Sequence, residues 1–327
     1  MMEERITALC QNFIDNQNVI KKVFRMESSL IYPIAANVFT AKGVTADEAK
    51  LRECKKIISE KSGVFSYLGG TSSTLLAAYL SMKPDPAASF ERVKRYYDIT
   101  KKQFGRSDYS ALLAVLLSDM VIEEKLEGVL ARGKEIYRLM REKHPLLTGG
   151  EDSVLAGFLA FSEKNDAALM EDMEQCYALL KPKFSSGDSV QTVSQILSMI
   201  EGSVREKTDH LIGLYDLLKA SGRKFNVYHL ATLASVSVLD DNNEKLRDTM
   251  LEIDGFLSQQ KGYAGLLGID KQTRLMHAAL LTTDLYDTAS NAQTAASAST
   301  IAMVAAQQAA ICILIASAAA YSAIGVD

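Results

Sequence analysis

The sequence feature that most constrains the fold is a tyrosine that recurs at nearly constant intervals. Tyr97, Tyr137, Tyr177 and Tyr215 are separated by 40, 40 and 38 residues, and each is followed two positions later by Ile or Leu. A period near 40 is typical of helix-pair repeats, which stack because one pair cannot bury its apolar face alone. The chain is therefore predicted to be a tandem array of six or seven helix pairs.

Two kinds of helical stretch alternate along this array. Each recurring tyrosine lies late in an amphipathic stretch, such as 90–104 or 169–180, with apolar residues three and four positions apart. The stretches before them are apolar on nearly every side, which predicts burial all round: 75–80, 112–117, 154–161, 193–200, 230–239 and 275–281. The tyrosines themselves either line a binding groove or pack one repeat against the next, and packing is the favoured role.

Helix breakers recur in the same phase between the units. Glycine followed by Ser, Thr or Asp ends one helix and begins the next, as in 69–72, 105–108, 149–152 and 186–189. There is no sustained alternation of apolar and polar residues, so strands are not predicted. The predicted fold class is all-α, built from tandem helix pairs of about 40 residues. The array is either an open α-solenoid or a closed α/α toroid.

The C-terminal segment differs in composition from the rest. Between Asp287 and Asp327 the chain carries no charged residue and is rich in alanine. Its most apolar run, 309–316, has eight residues, whereas about 20 are needed to span a bilayer. We therefore predict a helical-repeat domain over 1–287 and an alanine-rich helical tail over 288–327 that packs on the repeats or on another copy. Attachment to a membrane is the less favoured alternative.

Composition argues against several classes of function. The net charge is −4, and the basic residues are interspersed with Asp and Glu, so no nucleic-acid partner is predicted. The cysteines and histidines have no metal-ligand spacing; they are Cys10, Cys54, Cys176, Cys312, His144, His210, His229 and His277. No phosphate-binding glycine motif occurs. No metal or cofactor is therefore predicted, and whether the protein is an enzyme stays open.

The first residues suggest a cytoplasmic location. Glu3 and Glu4 stand where a secretion signal would carry positive charge, and no long apolar run follows them.

One set of residues is predicted to form a ligand site. If the units stack in parallel, the aspartates that begin the apolar helices and the hydroxyls after them lie at one end of the array: Asp108, Ser110, Asp152, Ser153, Asp188 and Ser189. Helix N-termini favour an anionic ligand, and the aspartates favour a cation or a basic peptide. In the alternative, each residue only caps its own helix.

Several separated segments resemble one protein family. They are Gly63-Val64-Phe65-Ser66-Tyr67-Leu68-Gly69-Gly70-Thr71, Phe184-Ser185-Ser186-Gly187, Gln260-Lys261-Gly262-Tyr263 and the alanine-rich tail. With them the chain, from about Asn18 to its end, resembles the bacterial domain-of-unknown-function family number 4003. The resemblance implies a cytoplasmic bacterial protein, largely from Gram-positive lineages, and it implies no reaction, cofactor or catalytic residue.

Three functions follow as hypotheses. The leading one is a scaffold that binds a protein or peptide along one surface of the array. The second is an α/α-toroid enzyme or small-molecule binder whose site lies at the end of the buried helices. The third is a membrane-associated protein attached through its tail.

Overall fold

A computed structural model gives the fold over residues 2–25, 31–63, 66–69, 73–240, 242–263 and 268–290, with side chains described through Tyr286. In these ranges the chain forms α-helices and two short 3-10 helices, Tyr67–Gly69 and Val227–His229, and no strand. The all-α prediction is confirmed.

The α-helices are numbered in chain order. The odd-numbered helices are α1 (Met2–Val23), α3 (Glu48–Lys61), α5 (Pro86–Phe104), α7 (Glu123–Lys143), α9 (Asp166–Leu180), α11 (Val204–Ala220) and α13 (Asn243–Ser258). The even-numbered helices are α2 (Ile31–Thr40), α4 (Ser73–Ser81), α6 (Asp108–Met120), α8 (Asp152–Leu159), α10 (Gly187–Met199), α12 (Leu230–Ser237) and α14 (Lys271–Ser290).

Burial separates the two sets as the sequence predicted. Every residue of α8 and α12 is buried, and so are all but one residue of α2. The odd-numbered helices bury one stripe only; in α7 the stripe consists of Leu126, Leu130, Gly133, Ile136 and Met140. This spacing of three and four residues keeps one face toward the core and leaves charged residues on the other.

Contacts divide the chain into two compact units. Among the described residues, the N-terminal unit comprises 15–161 and the C-terminal unit comprises 2–14 with 162–290. Helix α1 contributes residues to both units. In the C-terminal unit its Phe13 ring meets His277 edge-on, and in the N-terminal unit its Asn16 accepts a hydrogen bond from the Ala46 N–H at 2.7 Å.

In the N-terminal unit α3 contacts α4, α5 contacts α6 and α7 contacts α8. The amphipathic helices α3, α5 and α7 pack in succession, and among the buried helices α2 contacts α4 and α6 contacts α8. In the C-terminal unit α9, α11 and α13 pack in succession, as do α10, α12 and α14.

Two of the recurring tyrosines pack successive amphipathic helices together. Phe104 at the end of α5 meets the ring of Tyr137 in α7 edge-on, with ring centroids 6.2 Å apart. Phe184, just after α9, meets the ring of Tyr215 in α11 in the same way at 5.1 Å. Edge-to-face pairs are a favoured geometry for aromatic rings. At these two positions the tyrosine has the packing role that was favoured.

The predicted tail lies outside the described residues, except that α14 continues to Ser290. The domain boundary after residue 287 and the packing of the tail stay predictions. No helix in the described part of the chain has both the length and the apolar character needed to cross a membrane.

Candidate functional site

The cap of α6 lies one residue earlier than the sequence pattern indicated. Ser107 precedes α6, and its Oγ accepts the Ser110 N–H at 3.1 Å. Asp108 is therefore the first residue of the helix and not its cap. The Ser110 hydroxyl donates to the Gly105 carbonyl at 2.6 Å.

Asp152 and Ser153 bond within the loop before α8. Asp152 Oδ2 accepts the Gly149 N–H at 2.7 Å, and the Ser153 hydroxyl donates to the Gly150 carbonyl at 2.6 Å. Both side chains are buried. The residue before the helix, Glu151, makes no side-chain cap hydrogen bond. These two predicted site residues thus have local structural roles.

Part of the predicted set is brought together around Tyr109. Its ring lies against Gly150, where an added Cβ would be 3.0 Å from a ring carbon. Burial raises the pKa of Tyr109, and the carboxylates of Glu151, Asp108 and Asp152 raise it further. Desolvation also raises the pKa of Asp108, and its Oδ1 has no hydrogen-bond partner among the described residues. The start of α6 and the start of α8 thus form one acidic cluster in the N-terminal unit.

Asp188 and Ser189 begin α10 in the C-terminal unit. Here too the cap is the earlier residue, because Ser186 Oγ accepts the Ser189 N–H at 3.2 Å. Desolvation raises the pKa of Asp188, although the side chain reaches solvent.

A pocket of about 480 Å³ lies at the opposite end of α10. It is formed by the end of α10, the start of α11 and the end of α12, and its lining residues are Ile200, Glu201, Gly202, Ser203, Glu206, Lys207, His210, Ser237 and Val238. None of the six predicted site residues lines it. The ligand site was predicted at the first turns of the buried helices, whereas this pocket lies at the last turns of α10 and α12.

Lys207 is the buried cationic residue of the pocket. Its side chain is 6% exposed, and Nζ donates to the Leu197 carbonyl at 2.8 Å and the Ile200 carbonyl at 2.5 Å. These carbonyls lie in the last turn of α10 and just beyond it, where a helix leaves acceptors without an internal partner. Burial lowers the pKa of Lys207 to about 8, and the neighbouring Lys164 contributes to the shift.

Charged residues from α9 and its preceding loop lie beside Lys207. Lys164 Nζ forms an ion pair with Asp172 and donates to the Ser198 carbonyl at 3.1 Å. Cys176 is buried, and desolvation raises the pKa of its thiol to about 11, so it stays protonated at neutral pH. Two lysines therefore meet the carbonyl end of one helix.

The sequence contains one signal for this pocket. Ser203, Glu206, Lys207 and His210 follow the spacing i, i+3, i+4, i+7, which places four polar residues on one stripe of α11. Buried stripes of amphipathic helices are normally apolar. The polar stripe beside the apolar positions of α11 was therefore the sequence feature that could have indicated the pocket.

No group of three His, Cys, Asp or Glu residues in the described part of the chain is arranged to hold a metal ion. The acidic cluster around Tyr109 and the pocket at Lys207 are two arrangements that could bind a ligand without a metal ion.

Comparison with known families decides the family membership. The family described as "Protein of unknown function (DUF4003)" matches residues 16–310. The chain belongs to the DUF4003 family. This match covers α2 to α14 and both units, so the Lys207 pocket and the Tyr109 cluster both lie within the DUF4003 region. Neither the curated proteins nor the solved structures provide a match to this DUF4003 chain.

Proposed function

We propose that this DUF4003 protein binds a small polar molecule in the pocket at the end of α10. The observation that carries the proposal is the pocket itself. Its volume of about 480 Å³ falls in the range of roughly 300–1,000 Å³ that is typical of ligand sites. Ser237 and Lys207 are buried in its wall, and Glu201, Ser203 and Glu206 are exposed.

The side chains around the pocket favour a ligand with its own polar groups. Lys207 brings a nitrogen to the wall, and His210 brings an imidazole. Glu201 and Glu206 supply acceptors at the rim, where a donor on the ligand can reach them. A purely apolar ligand would cover polar groups of the pocket without offering them a hydrogen bond, which costs free energy.

The test is native mass spectrometry of the full-length protein purified from its own host, compared with the denatured chain. We expect a small additional mass on the native protein that is released by denaturation or stays attached through a covalent bond. Ser203→Trp should remove that mass, because Ser203 is exposed, lines the pocket and makes no side-chain cap bond.

The matched control is Ser185→Trp. Ser185 is also exposed, but it lies before α10, at the end remote from the pocket. The same small mass should remain on this variant. Absence of any bound mass from the wild-type protein, or equal loss in both variants, would contradict a ligand site in this pocket.

A protein- or peptide-binding scaffold is the second candidate function. For both candidates the proposed location is the bacterial cytoplasm. Two equivalent contacts 40 residues apart support the helix-pair repeat on which this candidate depends. Arg92 in α5 donates to the Ser118 carbonyl at 2.9 Å, and Arg132 in α7 donates to the Ala160 carbonyl at 3.1 Å. Each arginine thereby caps the end of the following buried helix.

Exposed apolar side chains also favour the scaffold. Leu146 is 97% exposed and Tyr228 is 62% exposed, and each lies in a connection before a buried helix. In the same mass spectra, a bound polypeptide would favour the scaffold over the small-molecule binder. A homo-oligomer that disappears on truncation after residue 287 would favour self-association through the alanine-rich tail.

A further inference from the structure

The amine of Lys207 is placed in the pocket with an unusual set of partners. Nζ has two carbonyl acceptors, at Leu197 and Ile200, and no carboxylate or further acceptor among the residues that the structure describes. A neutral amine has two N–H groups and one lone pair, whereas an ammonium has three N–H groups. Two acceptors therefore satisfy the neutral form completely and leave its lone pair available.

The charges around Lys207 act in opposite directions. Lys164 opposes a second positive charge, whereas Asp172, which also forms an ion pair with Lys164, favours the ammonium, and burial outweighs both. Cys176 is a buried thiol, and on α11 itself Glu206 and His210 line the same pocket one turn away or less. With a pKa of about 8, half of the Lys207 side chains are neutral at that pH.

Two arginines in the N-terminal unit show what a purely structural cap looks like. Arg92 and Arg132 also donate to carbonyls at the ends of buried helices. A guanidinium stays charged at any physiological pH and is not a nucleophile. Lys207 also donates to carbonyls at the end of a buried helix, but its amine can lose a proton and it lines a pocket of about 480 Å³. Capping the helix requires neither of these properties.

We propose that Lys207 condenses with the carbonyl group of a small aldehyde or ketone bound in the pocket. This inference rests on the proposed function, because it assigns the ligand class of the same site. Desolvated lysines beside a second cation are a known way to activate an amine for this chemistry.

The reaction balances without an oxidant or reductant. The Nζ lone pair attacks the carbonyl carbon and forms a C–N bond, and the carbonyl oxygen takes up a proton. The resulting carbinolamine then loses this oxygen as water, while the nitrogen loses its protons and a C=N bond forms. The products are an imine and one molecule of water. His210 lines the pocket one turn beyond Lys207 and is placed to carry protons between these steps.

The first experiment uses the full-length protein, glyceraldehyde as the probe and sodium borohydride to reduce any imine to a stable amine. Peptide mass spectrometry then gives the rate of modification at each lysine across pH 6 to 9. We expect Lys207 to react at least about tenfold faster at pH 8 than the exposed Lys181, because about half of the Lys207 amines are neutral at that pH. The rate at Lys207 should level off above pH 8.

Two variants separate reactivity from fold. Lys207→Arg keeps hydrogen-bond donors at the end of α10 and removes the nucleophile, so it should fold and lose the major adduct. Ser203→Trp should slow the modification of Lys207 and leave that of Lys181 unchanged. Adducts confined to exposed lysines, or a rate at Lys207 that still rises about tenfold between pH 8 and pH 9, would overturn the proposal.

The natural ligand distinguishes this inference from the proposed function. If borohydride treatment of the protein from its own host leaves a mass attached to Lys207, both are supported. If the same treatment leaves a mass that denaturation still releases, the pocket binds a ligand non-covalently and the imine is refuted.

Discussion

Arg274 Nε lies 2.6 Å from Oδ1 of Asp254, and the Asp254 side chain is completely buried between α13 and α14. Arg223 donates to the other carboxylate oxygen at 3.0 Å. One buried carboxylate thus holds two arginines in the C-terminal unit. Breaking a buried ion pair by removing one partner leaves the other charge uncompensated, which is strongly destabilising.

Asp254→Ala should therefore lower the free energy of unfolding by about 3–5 kcal/mol, because Arg274 is itself largely buried. Urea denaturation followed by circular dichroism measures the change. The matched control is Arg223→Ala, which removes a partly exposed partner of the same carboxylate and should cost much less. An equal decrease in the free energy of unfolding of the two variants would contradict the claim that the buried charge of Arg274 causes the loss.

The close approach of α7 and α8 gives a second prediction. A Cβ at Gly133 would lie 3.1 Å from the Ala156 carbonyl oxygen and 3.1 Å from the Gly157 Cα, both of which are backbone atoms. Gly133→Ala should lower the free energy of unfolding by about 1–3 kcal/mol, as overpacking does.

Gly128 provides the control for this change within the same helix. A Cβ at Gly128 would meet nothing within 4 Å. Gly128→Ala should raise the free energy of unfolding by roughly 0.5–1 kcal/mol, because alanine is the better helix former. The melting temperatures of the two variants should shift in opposite directions. A shift in the same direction would contradict a close contact between α7 and α8 at Gly133.

The position of the α6 cap gives a third prediction. Ser107→Ala should lower the free energy of unfolding by about 1 kcal/mol, because Ser107 Oγ accepts the free Ser110 N–H. Asp108→Asn should not lower it at pH 7, since desolvation already disfavours the charged carboxylate. Melting temperatures of the two variants provide the comparison. A larger loss in Asp108→Asn would mean that Asp108 is the cap after all.

The ionisation of Lys207 gives a fourth prediction. Its pKa is about 8 in the folded protein and 10.5 in the unfolded chain, so the unfolded chain binds more protons between these values. The resulting penalty is fully present below pH 8 and disappears as the pH rises toward 10.5. Relative to Lys207→Met, the wild type should gain about 2 kcal/mol of stability between pH 7 and 9.5.

Urea denaturation of both proteins at several pH values measures this gain, and the difference between them cancels the titration of the other lysines. Lys219→Met serves as the control, because Lys219 is exposed on the same helix. A difference between wild type and Lys207→Met that stays constant with pH would show that Lys207 keeps its proton.

The capping prediction shows how far a local pattern reaches. Glycine followed by Ser or Asp correctly marked where α6, α8 and α10 begin, because both residue types act on backbone groups a few positions away. It did not decide whether Ser107 or Asp108 caps α6, since both can accept the same N–H groups. The backbone angles at Ser107, which are extended, settle the assignment.

The sequence by itself determined that the chain is helical and that buried helices alternate with amphipathic ones, because periodicity is a property of neighbouring residues. Only the tertiary structure decided where charges are buried. Arg92 and Arg132 recur 40 residues apart, but the next position in that series is Asp172, and there Lys164 and Lys207 meet the carbonyl end of α10 instead. The pKa of Lys207 depends on which distant segments surround its amine, and that surrounding exists only once α9, α10 and α11 have packed together.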